Sequence, residues 1–157
     1  MRIDLTGKTV VITGAGGAIG SAMALRFAQS GAQVAVGDIN DEAGRRTAEE
    51  ITAQGLAAAY FHLDVTSQDN VRDALAQIAG RFGGIDVLVN NAGVNVGPDH
   101  RRPVHEFDEE KWRWILQVDL DGIFYMSKAA VPYIAARGGG SIINVSSVVG
   151  MVPFRNQ

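Results

Sequence analysis

The chain has no cysteine, which removes disulfide cross-links, thiolate metal sites and a cysteine nucleophile from consideration. It has no apolar run approaching the ~20 residues that cross a bilayer. Arg2, Asp4 and Lys8 around a very short apolar strand do not make a secretory signal. Basic residues are not in excess: 14 Lys and Arg stand against 17 Asp and Glu, for a net charge of -3. That balance argues against a surface that coats duplex nucleic acid or an anionic membrane. Internal repeats, low-complexity stretches and interdomain linkers are missing too. No Gly-Lys-Ser/Thr follows the glycine-rich stretch near the amino terminus, so it is not a Walker loop. Val145-Ser146-Ser147-Val148-Val149 lacks the Gly-x-Ser-x-Gly elbow of hydrolases. The expectation that remains is a soluble cytoplasmic protein with no metal site, no nucleic-acid partner and no membrane.

What the chain has in quantity is glycine: 19 of 157 residues, about 12% where about 7% is usual. Hydrophobic residues make up 46% and charged residues 20%, a globular composition in a length that suits one domain with a buried core. Short β-branched runs alternate with longer helix-period segments. Lys8 to Thr13 (KTVVIT), Val34 to Gly37 (VAVG), Ala57 to Leu63, Ile85 to Val89 (IDVLV) and Ser141 to Val145 (SIINV) predict five strands. Ile19, Met23 and Phe27 mark the apolar stripe of a first helix. Asn40 caps a second, whose first turn carries Asp41 and Glu42, where the helix dipole favours anions. Val71, Leu75, Ile78 and Phe82 line one face of a third, with Thr66 as its cap. A loop holding Gly97, Pro98 and Pro103 leads to one long helix from about Asp108 to Ala136, ended by Gly138 to Gly140. Val- and Ile-rich strands alternating with helices predict an α/β fold: a doubly wound, Rossmann-like parallel sheet covered on both faces, a single domain over residues 1–157.

The first strand runs directly into Thr13-Gly14-Ala15-Gly16-Gly17-Ala18-Ile19-Gly20 and then a helix. A phosphate-binding turn needs that placement. Gly14 can take the tight turn, small residues let the backbone approach a pyrophosphate, and Gly20 lets helix and strand pack closely. Amide groups at the helix start then point at negative charge. The last glycine falls one position later than in GxGxxG, and the loop alone is equally compatible with an ordinary strand–helix turn. Asp38 adds a second element. It ends the second strand, eighteen residues after Gly20, where a carboxylate can hold the ribose hydroxyls of adenosine. A carboxylate also repels a 2′-phosphate, and neither Ile39 nor Ala15, Gly16 and Gly17 offers a cation to neutralise one. These residues favour NAD over NADP.

Three further segments carry a family resemblance. Asp64-Val65 follows the third strand, Asn90-Asn91-Ala92-Gly93 ends the fourth, and Asn144-Val145-Ser146-Ser147 ends the fifth. With the Thr13–Gly20 loop they resemble the short-chain dehydrogenase/reductase family, classical branch, over essentially the whole chain. The resemblance implies an NAD-dependent oxidoreductase moving a hydride between nicotinamide and the carbon of a small-molecule alcohol or ketone. It implies that Gly14, Gly17, Ile19 and Gly20 line the pyrophosphate and nicotinamide side, and that Asp38, with Ile39 next to it, holds the ribose. Asp64 and Val65 would contact the adenine, and Asn91, Ala92 and Gly93 would pass along the cofactor's middle. Ser147 matches the family's catalytic serine, which hydrogen-bonds the substrate oxygen. The long helix resembles one that builds dimers and tetramers, so a homo-oligomer is implied.

Three departures accompany the resemblance. Ala18 stands where most classical members carry Gly, and Gly14, Gly17 and Gly20 also fit the TGxxGxxG spacing of the epimerase-like branch. The family's catalytic Asn on the long helix falls at Asp119. Trp112, Ile115, Asp119, Ile123 and Met126 share one helical face, so this acid sits in an apolar stripe, where a charge is costly unless paired or solvated. In the family this residue helps hold a relay water, largely through its backbone carbonyl. The general acid/base, the Tyr of a Tyr-x-x-x-Lys pair, is expected roughly thirteen residues after the serine, past Gln157. Tyr133 is no substitute, because no Lys follows it at the right spacing. Residues 1–157 are therefore expected to be the cofactor half of such an enzyme, inactive alone. Two other readings stay open: a non-catalytic NAD-binding or interaction module, and a nucleotide-sugar epimerase. The loop from Val94 to His105, with His100, Arg101 and Arg102, reads either as an exposed basic loop or as part of a substrate entrance.

Overall fold

The computed structural model describes residues 3–150; the segment running to Gln157, past which the Tyr-x-x-x-Lys pair was expected, lies outside them. Five strands, β1 (Thr9–Thr13), β2 (Gln33–Asp38), β3 (Ala58–His62), β4 (Val87–Asn90) and β5 (Ser141–Asn144), form one sheet. Every pairing is parallel and the order is β3-β2-β1-β4-β5. Strand side chains alternate between two cores. Val10, Ile12, Val34 and Val36 face α1 (Ala18–Gln29) and α2 (Asp41–Thr52). Val11, Ala35 and Leu88 face α3 (Gln68–Phe82) and α5 (Gly122–Ala136). Burial on both faces is what fills β1, β2 and β4 with Val, Ile, Ala and Leu, whereas β3 is half-buried and β5 is exposed. The chain travels outward from β1 to β3 and then returns to place β4 on the other side of β1. At that reversal the loops after β1 and β4 part, leaving a crevice beyond the carboxyl ends of the strands.

Three local features differ from the sequence reading. Helix α1 fully buries Gly20, Ala24 and Ala28; of the expected stripe, Met23 and Phe27 pack half-buried against the same core, and Ile19 is 65% exposed. Small residues let the helix lie against β1 and its loop, and larger side chains on that face would hold it away. Ser67 caps α3 instead of Thr66, its Oγ accepting from the Asn70 N–H at 3.3 Å. Thr66 is held back by Asp64, whose Oδ1 accepts from both its N–H (2.9 Å) and its hydroxyl (2.7 Å). The long helix is two helices, α4 (Glu109–Leu116), capped by Asp108, and α5, joined through a π-helical segment at Gln117–Asp121. After the π segment the buried positions are Val118, Gly122, Met126, Ala130 and Ile134, so the inward stripe lies one residue before Asp119. Gly122 sets this approach, since a Cβ there would lie 2.8 Å from Val65 Cγ2.

The opposite end of the sheet is closed by a charge cluster. Asp86, just before β4, accepts from the Thr9 N–H (2.9 Å) and Lys8 Nζ (3.0 Å) and pairs with Arg137 Nη2 at 3.3 Å. Arg137 also donates to the Gly7 carbonyl at 3.1 Å, tying the end of α5 to the chain entering β1.

Candidate functional site

The loop after β1 owes its shape to backbone that no side chain could replace. Gly14 has φ +64, a left-handed conformation that disfavours any Cβ. A Cβ on Gly20 would lie 2.3 Å from the Gly14 carbonyl, so α1 begins in contact with the turn that launches it. Helices α2, α3 and α4 are capped at their starts by the side chains of Asn40, Ser67 and Asp108. Helix α1 is not: its N-cap is Gly17, without a side-chain bond, and its first turn has no acid. Its leading N–H groups and the positive end of its dipole are thus left for an anion from outside.

The β4 loop is bonded onto this turn. Thr13 Oγ1 accepts from the N–H groups of Asn91 (3.0 Å) and Ala92 (2.8 Å). The Asn91 amide donates to the carbonyls of Thr13 (2.9 Å) and Gly14 (3.2 Å). Thr13 was not singled out from the sequence, although its place before Gly14 at the strand end was the available signal. Asn91 was expected along the cofactor's middle, and its amide is committed to holding two loops together at the crevice wall. Behind it, Asn90 Nδ2 donates to Asn144 Oδ1 at 2.8 Å and Ser127 Oγ at 3.2 Å, joining the carboxyl ends of β4 and β5.

The resulting crevice has a volume of about 800 Å3. Every cofactor position named from the sequence lines it: Gly14, Gly17, Ala18, Ile19, Gly20, Asp38, Ile39, Asp64, Val65, Asn91, Ala92 and Gly93. Trp114 and Gln117 from the α4 side line it as well, and the sequence reading had not included them. No Lys or Arg does so among the described residues. Asp38 is 8% exposed, with Oδ2 accepting from the Gly16 N–H and Oδ1 from the Asn40 N–H, both at 2.8 Å. A Cβ at Gly16 would lie 2.8 Å from Ala43 Cβ and 3.0 Å from that carboxylate, so no cationic side chain fits between the loop and Asp38.

Tyr60 supports Asp38 from behind. Its hydroxyl donates to Asp41 Oδ1 at 2.7 Å and lies 3.0 Å from the Asp38 carbonyl. Its ring fills the slot left by Gly44, where a Cβ would come within 2.3 Å of it. His62 Nδ1 lies 2.6 Å from the same Asp41 oxygen, and Arg45 sits over the Tyr60 ring at 4.9 Å. Bonds from Tyr60 and His62 hold the Asp41 carboxyl below its usual range. Burial, reinforced by Asp41, pushes the Tyr60 phenol far above its own, so this hydroxyl stays protonated and acts as a strut.

Beside the first crevice lies a second, of about 770 Å3, sharing Val94 with it. The two expected catalytic residues, Ser147 and Asp119, both line this one. Asp119 Oδ1 accepts from the Val94 N–H at 2.8 Å, so the acid in the π segment fixes the partition between the crevices. Burial raises the Asp119 carboxyl above its usual value, only partly offset by that N–H. The basic loop divides: Arg102 lines the second crevice, with Val96, Pro103 and Val104, whereas His100 and Arg101 do not. Tyr133 packs against the core beneath the sheet, away from both crevices.

The family model described as short chain dehydrogenase matches residues 8–157. The 2,5-dichloro-2,5-cyclohexadiene-1,4-diol dehydrogenase LinX of Sphingobium indicum is 40% identical over 153 residues, covering 98% of this chain and 60% of that protein. The trans-4-hydroxycyclohexanecarboxylate dehydrogenase of Sinomonas cyclohexanicum is 40% identical over 156 residues, covering 96% and 58%. Among solved structures, a gluconate 5-dehydrogenase from Burkholderia cenocepacia in complex with NADP and tartrate is similar with a TM-score of 0.90 and 35% identity, covering 99% of this chain and 59% of that one. The chain thus spans about three-fifths of the length of these relatives.

Proposed function

The chain belongs to the short-chain dehydrogenase/reductase family, and from that premise we propose that the whole protein oxidises alcohols or reduces ketones with NAD. The observation that carries the reading is the convergence of the uncapped start of α1, the bare glycine turn and Asp38 on one crevice. A dinucleotide fits that arrangement: the helix N-terminus suits a pyrophosphate and the carboxylate suits ribose hydroxyls. When bound, nicotinamide supplies the hydride donor or acceptor. The protein's own residues do the rest. Gly14 and Gly17 to Gly20 cradle the phosphates, Asp38 and Ile39 take the ribose, Asp64 and Val65 flank the adenine, and Asn91 to Gly93 form the wall between. Ser147 hydrogen-bonds the reacting oxygen, and Asp119 fixes the Val94 backbone beside it. The proton is handled by a Tyr that this reading assigns to a part of the whole protein outside these 157 residues.

Cofactor choice is not fixed by the fold, since a structural relative carries NADP; here it rests on Asp38. A 2′-phosphate beside this carboxylate would meet like charge, worth several kcal/mol when desolvated, with no cation among the described residues of the crevice wall to offset it. Equilibrium binding of NADH and NADPH, followed by nucleotide fluorescence, tests this. Asp38→Ser is expected to narrow the preference for NADH by about tenfold or more, and an unchanged ratio removes Asp38 from the ribose site. Relatives that act on ring alcohols favour substrates of that size. A homo-oligomer belongs to the same reading, supported by Leu120, Phe124 and Val131, which are 60%, 59% and 50% exposed.

A further inference from the structure

Two charged residues of the second crevice, Arg102 and Glu109, are not used by the chemistry above. Arg102 lines the cavity, and its one hydrogen bond runs from Nη1 to the Arg101 carbonyl at 2.8 Å. Among the described residues no carboxylate pairs with it. Around it the walls are apolar and aromatic, built from Val94, Val96, Phe107, Trp112 and Ile115, and the cavity also holds Ser147 and Asp119. Its volume of about 770 Å3 lies within the ordinary range for small-molecule sites. A guanidinium facing such a cavity offers a planar pair of donors that matches a carboxylate and holds it in one orientation. Glu109 lines the same cavity, only loosely engaged by Arg113 at 3.9 Å. Its charge would repel a dianionic phosphate more strongly than a singly charged carboxylate.

We propose that Arg102 anchors a carboxylate, so that the second crevice takes apolar, ring-sized alcohols or ketones bearing a carboxylate in addition to the reacting oxygen. This rests on the reading of the protein as an alcohol oxidoreductase, but its test does not require turnover. Calorimetric titration of the whole protein with cyclohexanecarboxylate and with cyclohexanecarboxamide compares a charged and a neutral probe of the same shape. The carboxylate is expected to bind more tightly. Arg102→Ala should weaken it by about 10- to 100-fold, as expected for loss of hydrogen bonds to a charged group, while leaving the amide within about twofold. Arg102→Lys should recover part of the loss, because the charge returns without the planar fork. Equal affinity for the two probes, no detectable carboxylate binding, or an equal effect of Arg102→Ala on both overturns the proposal. Failure to oxidise any neutral alcohol with NAD would instead sink the functional reading, leaving the ratio of affinities intact.

Discussion

At the scale of single residues, Asp86 and Asp119 are both withdrawn from water and respond in opposite ways. Burial pushes Asp86 up, but the Thr9 N–H, Lys8 and Arg137 together outweigh it and hold the carboxyl below its usual value. A carboxyl depressed by folding contributes stability above its unfolded pKa and loses it as pH falls through the folded one. Asp86→Asn should therefore cost about 2 kcal/mol at neutral pH, less than a fully buried pair because Lys8 and Arg137 stay partly in solvent. In strong acid, denaturant unfolding of the two proteins should converge; a difference independent of pH would mean that shape, not charge, keeps the aspartate. Side-chain identity alone did not separate this clamp from the site aspartates. Asp38 was legible because a strand end and a glycine loop fixed its surroundings. The Tyr60–Asp41–His62 group was not, since its contacts join β3 to the start of α2 across about twenty residues of sequence.

At the scale of elements, the π segment is where pattern reading failed for a physical reason. Moving one turn from i→i−4 to wider hydrogen bonding changes no composition, yet it rotates every later position of the helix. Of the stripe read through Trp112, Ile115, Asp119, Ile123 and Met126, only Met126 is fully buried; the inward positions after the π segment are Val118, Gly122, Met126, Ala130 and Ile134, and Trp112, ahead of it, is 56% exposed. Asp119 then lies at the edge, half-buried, its pKa raised by burial. A carboxyl raised by folding favours the folded state below its unfolded pKa, and that contribution is lost as pH rises through the raised value. Asp119→Asn keeps an acceptor for the Val94 N–H and removes the buried charge. It should raise the thermal unfolding midpoint at neutral pH and gain nothing in acid, whereas Asp119→Ala, which strands that N–H, should lower the midpoint at both. A neutral-pH loss with Asn would show that the charge itself is needed. Strands were easier to read: short apolar or β-branched runs between helix-period segments mark them even where, as in β5, the strand is exposed, and all five expected runs became strands within one or two residues of their expected limits.

The whole molecule presents two unequal surfaces on its helical face. Val118, Met126, Ala130 and Ile134 of the α4–α5 unit are buried in the core, while Leu120, Phe124 and Val131 of the same unit point outward. An exposed apolar row of this kind is ordinarily covered by a partner, and for a homo-oligomer the partner is a second copy. Phe124→Lys in the whole protein is expected to shift sedimentation toward the monomer, and an unaltered oligomer, or a monomeric parent, would rule this face out. The doubly wound order was legible because alternation leaves few ways to connect parallel strands. The second crevice was not, because the loop from Val94 to Phe107 follows no period that a pattern could register.

The central place of β1 reaches further than packing. It is hydrogen-bonded to β2 on one side and β4 on the other, with Val10, Val11 and Ile12 fully buried. Its amides can exchange with solvent only when both neighbours let go, in openings that approach global unfolding. The glycine turn grows from the end of that strand and is bonded to the β4 loop through Thr13 and Asn91. The loop around Arg102 holds two short turns that bury no side chain, so its amides are expected to exchange through local openings of much lower free energy. Native-state hydrogen exchange is therefore expected to be slowest along β1 and fast through the turns at Pro98–His100 and Val104–Glu106.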